Sequence, residues 1–334
     1  MKKIKVFDVR VDEKQALQQW IERHQDEVEV VLTTDSFGGE HLTQLEDIDG
    51  ISISQTTTFN DEYYPILTEN GIYHIAQRSA GFDMYNLVAA TASGVKISNV
   101  PSYSPQSIAE FAVTRTLALV RHTHRIDRNV ALQDFTWDLA VQGRTVESLK
   151  IGVLGTGRIG SRVAKIFKGF GAKVYAYDIA PDPTLEGIVT YVDTLEALVK
   201  DIDVLTLHIP GSPENKYVVD EKILEQAKPG LFVINTARGI VLDTEALIRK
   251  LDDGTVAAAA LDTYENEGAY FKNDWTNKPL GDPILSHLLE RDDVIVSPHV
   301  AFYTDEAVQN LVDIPLDDVL SYINKHTAEN IVNP

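Results

Sequence analysis

Six residues, Gly155-Thr156-Gly157-Arg158-Ile159-Gly160, constrain the fold more than any other stretch of this chain, because the apolar run Ile151-Gly152-Val153-Leu154 leads directly into them. An apolar strand that ends in a tight glycine turn and passes into an amphipathic segment opens a β-α-β unit. The glycines have separate tasks. Gly155 permits the turn, Gly157 lets the backbone approach a pyrophosphate, and Gly160 lets the helix pack on the strand. The helix start, with Arg158 and Ile159, then offers unpaired N–H groups to phosphates. A helix is predicted over Gly157–Phe170 and a strand over Lys173–Tyr177. Asp178 follows, 23 residues beyond Gly155, close to the roughly 20 expected of the acid that accepts ribose hydroxyls. Ile179, Ala180, Pro181 and Asp182 come next, with no cation placed for a 2′-phosphate, so NAD is favoured over NADP. Methyltransferases also use glycine-rich first turns, so the motif alone does not name the chemistry.

The same rhythm runs along the rest of the chain. Strands are predicted at Ile4–Val9, Val28–Thr33, Ile51–Ser54, Tyr73–Ala76 and Lys96–Ser98, with helices at Glu13–His24, Asp61–Glu69 and Met84–Ala92. One long helix is predicted over Ser107–Val130. Further strands are expected at Lys150–Leu154, Val204–His208, Leu231–Asn235, Ala257–Leu261 and Val294–Ser297, and a last helix at Ala307–Lys325. Alternating strands and helices predict α/β architecture with parallel sheets. Two such units occur in series, one before residue 100 and one after 150.

Composition removes several classes of function. There is no cysteine, so disulfides, thiol nucleophiles and cysteine-ligated metals are excluded. No apolar run has the length of a membrane span, and Met1-Lys2-Lys3-Ile4-Lys5 leads into alternating apolar residues without a signal-like apolar core. A cytoplasmic protein is expected. Thirty Lys and Arg stand against 50 Asp and Glu, a net charge of −20, which disfavours nucleic acid and anionic membranes as partners. No metal site is expected: His122 and His124 are two residues apart and face different sides of a helix.

Three ionisable residues each follow an apolar strand: Arg238 in Asn235-Thr236-Ala237-Arg238-Gly239, Glu267 after Leu261-Asp262-Thr263-Tyr264-Glu265-Asn266, and His299 in Val296-Ser297-Pro298-His299. In a parallel sheet the carboxyl ends of the strands share one rim, where ligands bind. Taken singly, each has a structural reading: a core histidine, a helix-capping arginine, a solvated acid. Together, on the rim of a dinucleotide fold, they suit hydride transfer to a ketone. Imidazole is the proton donor for neutral pH, a neighbouring carboxylate favours its charged form, and a guanidinium clamps a carboxylate and polarises a carbonyl.

The chain resembles the NAD-dependent D-2-hydroxyacid dehydrogenases over essentially its whole length, and most closely their lactic-acid-bacterial branch acting on D-lactate and D-2-hydroxyisocaproate. The resemblance is carried by Asn99-Val100-Pro101-Ser102-Tyr103-Ser104-Pro105, the glycine turn, Phe170-Gly171-Ala172-Lys173-Val174, Leu207-His208-Ile209-Pro210, Asn235-Thr236-Ala237-Arg238-Gly239, Leu261-Asp262-Thr263-Tyr264-Glu265 and Ser297-Pro298-His299-Val300-Ala301-Phe302-Tyr303-Thr304. It implies two Rossmann-like doubly wound domains with an active-site cleft between them. Residues 1–101 plus 300–334 would form a flavodoxin-like substrate-binding domain, and 102–299 the NAD-binding domain, through which the family commonly forms homodimers.

It also implies roles for individual residues. His299 would be the acid/base, Glu267 its carboxylate partner and Arg238 the substrate clamp. Asp178 would hold the ribose, and His208, Pro210, Thr236 and Asp262 would line the nicotinamide side. Ala80 and Gly81 would receive the substrate carboxylate on backbone N–H groups, with Ser54, Tyr103, Phe302, Tyr303 and Trp137 facing the substrate side chain. Relatives often carry a larger residue where Ser54 stands, which would leave room for a substrate bulkier than pyruvate. Pyruvate reduction is the expectation, a branched-chain or aromatic 2-keto acid the alternative, and an NAD-sensing corepressor a third, non-enzymatic reading.

Overall fold

A computed structural model describes residues 1–54, 59–82 and 84–334. The chain forms two compact units, residues 1–104 with 303–334, and residues 105–302. Their junctions compare with 101/102 and 299/300 in the sequence reading.

The first unit is built on a five-stranded sheet: β1 (Lys2–Val6), β2 (Val28–Leu32), β3 (Gly50–Ile53), β4 (His74–Gln77) and β5 (Lys96–Ser98), in the order β2-β1-β3-β4-β5. All pairings are parallel, and the order is that of flavodoxin-like sheets. β3 and β4 are buried along their whole length, as strands covered on both faces must be. One face packs Phe7, Ile51, Tyr64, Leu67 and Ile75. On the other, Ile4, Val6, Leu17 and Trp20 meet Val312, Leu316 and Val319 of the helix Asp305–Lys325, which returns from the far end of the sequence. Trp20 Nε1 donates to Asp317 Oδ1 at 2.8 Å and fixes that helix on Lys14–His24.

The second unit holds seven strands: β6 (Lys150–Leu154), β7 (Lys173–Tyr177), β8 (Thr190–Tyr191), β9 (Val204–Leu207), β10 (Leu231–Asn235), β11 (Val256–Leu261) and β12 (Val294–Val296). They lie in the order β12-β11-β10-β9-β6-β7-β8, again all parallel. Numbered within the unit, this is the dinucleotide-fold order 3-2-1-4-5-6 with one further strand. The order reverses between β6 and β9, so the carboxyl end of β6 marks the switch point where ligands bind in open α/β sheets.

Several element limits differ from the sequence reading. The helix predicted over Ser107–Val130 is two helices, Pro105–Val120 and Thr123–Ala131, separated at His122 with φ of 52°. Tertiary packing makes the break: Arg144 N donates to Val120 O at 2.9 Å, taking the carbonyl that would continue the helix. The helix after the glycine turn begins at Gly160 rather than Gly157, and the one predicted from Met84 begins at Leu87, capped by Asn86. Among the described residues, no helix is long and apolar enough to cross a membrane.

Candidate active site

β6 delivers the glycine turn. Gly155 has φ of +88°, and a Cβ there would lie 2.8 Å from His208 O, so both the turn and the approach of the next strand's end exclude a side chain. A Cβ on Gly160 would overlap Gly155 O and approach Val153 Cγ1 to 3.2 Å, which is the close seat of helix on strand. Gly157 meets nothing within 4 Å, leaving its backbone open to a ligand. Asp178 follows β7 beside this turn; its Oδ2 accepts the Thr156 N–H at 2.6 Å.

The next strand ends carry polar atoms that the protein leaves unpaired. His208 follows β9. Its Nε2 pairs with Thr206 Oγ1 at 2.8 Å, and its Nδ1 is buried with no hydrogen-bond partner among the described residues. Burial pushes its pKa down to about 3, so the ring is neutral at physiological pH. Thr236 follows β10, is buried, and its Oγ1 has no hydrogen-bond partner among the described residues. Pro210 is exposed beyond His208. Buried polar groups are normally satisfied, so these orphans at the carboxyl edge mark a surface built for a polar ligand. With the open Gly157 turn and Asp178, they fit a dinucleotide.

Three ionisable residues, Arg238, Glu267 and His299, follow β10, β11 and β12. His299 Nδ1 lies 2.6 Å from Glu267 Oε1. The other Glu267 oxygen accepts the Tyr264 N–H at 2.9 Å, so the carboxylate cannot swing away. Burial raises the Glu267 carboxyl, but the hydrogen bond and charge of His299, the Tyr264 N–H and the field of Arg238 together carry it below the ordinary carboxylate value. Arg238 is exposed on the loop after β10. Gly239 beside it abuts the Tyr264–Glu265 peptide so closely that no Cβ fits, which brings the arginine loop against the loop that carries Glu267.

His299 itself sits at φ of 55°, a backbone region costly for residues other than glycine. Its N–H donates to Asp262 O at 2.8 Å. The Asp262 carboxylate receives Ser297 Oγ at 2.6 Å, Val300 N at 3.1 Å and Ala301 N at 2.8 Å. Burial holds the Asp262 carboxyl above its ordinary value despite these donors. Asp262 is thus the internal anchor that bends the Ser297–Ala301 loop around His299. Ser297 and Tyr264 escaped the sequence reading. For Ser297 the deciding feature is the register of Leu261 with Val296, which sets Asp262 and Ser297 side by side and which the sequence does not show.

Of the remaining candidates, Phe302 stands edge-on to His299 with ring centroids 6.5 Å apart. Trp137 is 87% exposed. In the first unit, Ser54 is buried at the end of β3 and Ala80 and Gly81 follow β4. The turn there is held by Ser79, whose hydroxyl donates to Gly81 O at 2.6 Å, and by Asn99 Nδ2, which donates to Ala80 O at 2.7 Å. The Tyr103 carbonyl accepts from Asn310 Nδ2 at 2.8 Å.

Residues 113–301 match the family described as D-isomer specific 2-hydroxyacid dehydrogenase, NAD binding domain. The chain is 43% identical over 333 residues to a D-lactate dehydrogenase of Staphylococcus aureus, covering all of both chains. Among solved structures, a D-2-hydroxyisocaproate dehydrogenase superposes with a TM-score of 0.93 at 35% identity, over 99% of this chain and 100% of that one. The NAD-complexed D-isomer specific 2-hydroxyacid dehydrogenase of Lactobacillus delbrueckii ssp. bulgaricus gives 0.90 at 32% identity, with the same coverage. This chain belongs to the D-isomer specific 2-hydroxyacid dehydrogenase family, and NAD is its cofactor.

Proposed function

We propose that this protein is a cytoplasmic D-lactate dehydrogenase that reduces pyruvate to D-lactate. The observation that carries the reading is the 2.6 Å His299–Glu267 pair on the same sheet edge as the glycine turn. Bound NADH supplies the hydride for the carbonyl carbon. His299 holds the proton that the forming alkoxide takes up; with Nδ1 engaged by Glu267, it delivers the proton from Nε2. Glu267, ionised, favours the imidazolium and fixes the ring. Arg238 meets the substrate carboxylate with two parallel N–H donors and draws charge from the carbonyl. Ala80 and Gly81 receive the carboxylate on backbone N–H groups, and Ser54, Tyr103 and Phe302 face the methyl group. Gly155, Gly157, Arg158, Ile159 and Gly160 cradle the pyrophosphate, Asp178 accepts the ribose hydroxyls, and His208, Pro210 and Thr236 border the nicotinamide. Asp262 acts at that border through the loop it holds.

The small, buried Ser54 supports a second reading, in which a larger branched or aromatic 2-keto acid is the better substrate. The S. aureus D-lactate dehydrogenase likeness supports the first. Comparing kcat/KM for pyruvate, 2-ketoisocaproate and phenylpyruvate with NADH decides between them: a preference for either bulky acid overturns the pyruvate assignment.

We also propose a homodimer formed through the NAD-binding unit. Leu132, Phe135, Trp137 and Leu139 are each 74–87% exposed there, a density of large apolar side chains that monomers rarely leave to water. Sedimentation analysis tests this, and replacing Phe135 and Trp137 by Ser should yield monomer.

A further inference from the structure

A chain of hydroxyls joins the glycine turn to Asp178, and the reaction as described leaves it without a role. Tyr191, on the two-residue edge strand β8, donates its hydroxyl to Thr156 Oγ1 at 2.9 Å. The Thr156 hydroxyl donates to Asp178 Oδ2 at 3.1 Å, alongside its own backbone N–H at 2.6 Å. The Ala180 N–H takes the other carboxylate oxygen at 2.8 Å. From the same loop, the Asp182 N–H donates to the Tyr191 hydroxyl oxygen at 2.9 Å.

The proton directions in this chain are fully determined. A backbone N–H can only donate, so the Tyr191 oxygen accepts from Asp182 and its own proton must point to Thr156. The Thr156 oxygen accepts that proton and sends its own to Asp178, which as a carboxylate can only accept. Each donor polarises the next. Three donors in all occupy the inner side of the carboxylate, and one rotamer satisfies all of them. Thr156 is 3% exposed, and the Tyr191 ring packs against the core that holds Val163 and Phe167.

We propose that Tyr191 and Thr156 are positioning residues for cofactor selection. They lock Asp178 in the rotamer that presents the remaining acceptor site of Oδ1 to a ribose hydroxyl and its charge against a 2′-phosphate. The proposal rests on Asp178 being the ribose acid. Discrimination between NADH and NADPH then depends on a tyrosine that acts only through Asp178.

The test is kcat/KM for NADH and for NADPH, at saturating keto acid, in the wild type, Tyr191→Phe, Thr156→Val, Asp178→Ala and the Asp178→Ala/Tyr191→Phe double variant. Tyr191→Phe keeps the packed ring and removes only the relay. It should raise KM for NADH by roughly threefold to tenfold, the worth of a net hydrogen bond. NADPH turnover should not fall, so the preference narrows by the same factor. Thr156→Val should act alike, and Thr156→Ser should restore the discrimination. In the Asp178→Ala background, adding Tyr191→Phe should leave the cofactor ratio where it was. A proportional loss with both cofactors, or an equal effect of Tyr191→Phe with and without Asp178, would show a merely structural tyrosine and overturn the relay. If Asp178→Ala itself leaves the preference intact, the ribose assignment fails and the relay with it. If only Tyr191→Phe is silent, the assignment stands and the relay alone is refuted.

Discussion

Replacing Glu267 by Gln tests the electrostatics of the acid/base pair with little change of shape. The amide can still meet His299 Nδ1, 2.6 Å away in the native pair, and still accept the Tyr264 N–H. What disappears is one negative charge. The Glu267 carboxyl lies below its ordinary value, so in the native enzyme this charge is present throughout the neutral range. A hydrogen bond to a charged group contributes about 1.5–3 kcal/mol. In D-lactate oxidation the His299 ring takes up the substrate's hydroxyl proton, and the positive charge that develops on the ring faces Glu267. Removal of the Glu267 charge should therefore lower kcat/KM for D-lactate oxidation by about 10- to 100-fold. Steady-state NADH absorbance at a fixed neutral pH is sufficient. An undiminished oxidation rate in Glu267→Gln would show that the Glu267 charge does not act on the proton that His299 carries.

Arg238→Lys should raise KM for the keto acid and lower kcat/KM by about 10- to 100-fold, the worth of one lost charge-assisted hydrogen bond, because an ammonium cannot make the planar two-point contact; initial-rate kinetics check it. Gly160→Ala places a methyl against Gly155 O and Val153, backbone and core atoms that cannot swing aside. It should cost about 1–3 kcal/mol of stability and weaken NADH binding, read by thermal unfolding and by fluorescence titration. His74 is buried, stacked on Tyr322, and its pKa is pushed down to about 3. The unfolded chain therefore binds a proton there between pH 6.5 and about 3 that the folded chain refuses. Stability falls as pH drops through that window by up to about 1.4 kcal/mol per pH unit. Urea unfolding at successive pH values should show a shallower acid loss in His74→Gln.

The parts of the molecule that short-range chemistry dictates were legible in the sequence. The glycine turn, the acid after β7 and the strands that end in Arg238, Glu267 and His299 depend on local pattern and on the shared rim of a parallel sheet. The parts decided by distant atoms were not. Nothing near His122 announces a helix break; a carbonyl captured by Arg144, brought in by the returning chain, makes it. β8 has two residues, too few for a periodicity, yet it supplies Tyr191. Asp262 reads in the sequence as a cofactor-side acid, but three donors of the His299 loop surround it, a role visible only once β11 and β12 are in register. The helix Asp305–Lys325 was placed with the first unit by family likeness, and the reason lies in Trp20 and its apolar neighbours.

The most direct measurement is stereospecific oxidation with NAD, taking D-lactate and L-lactate separately, in the wild type and in His299→Asn. The account predicts that only the D-isomer turns over efficiently and that loss of the imidazole removes about 10²–10⁴ in kcat. Comparable kcat/KM on L-lactate, or an undiminished rate in His299→Asn, would contradict it.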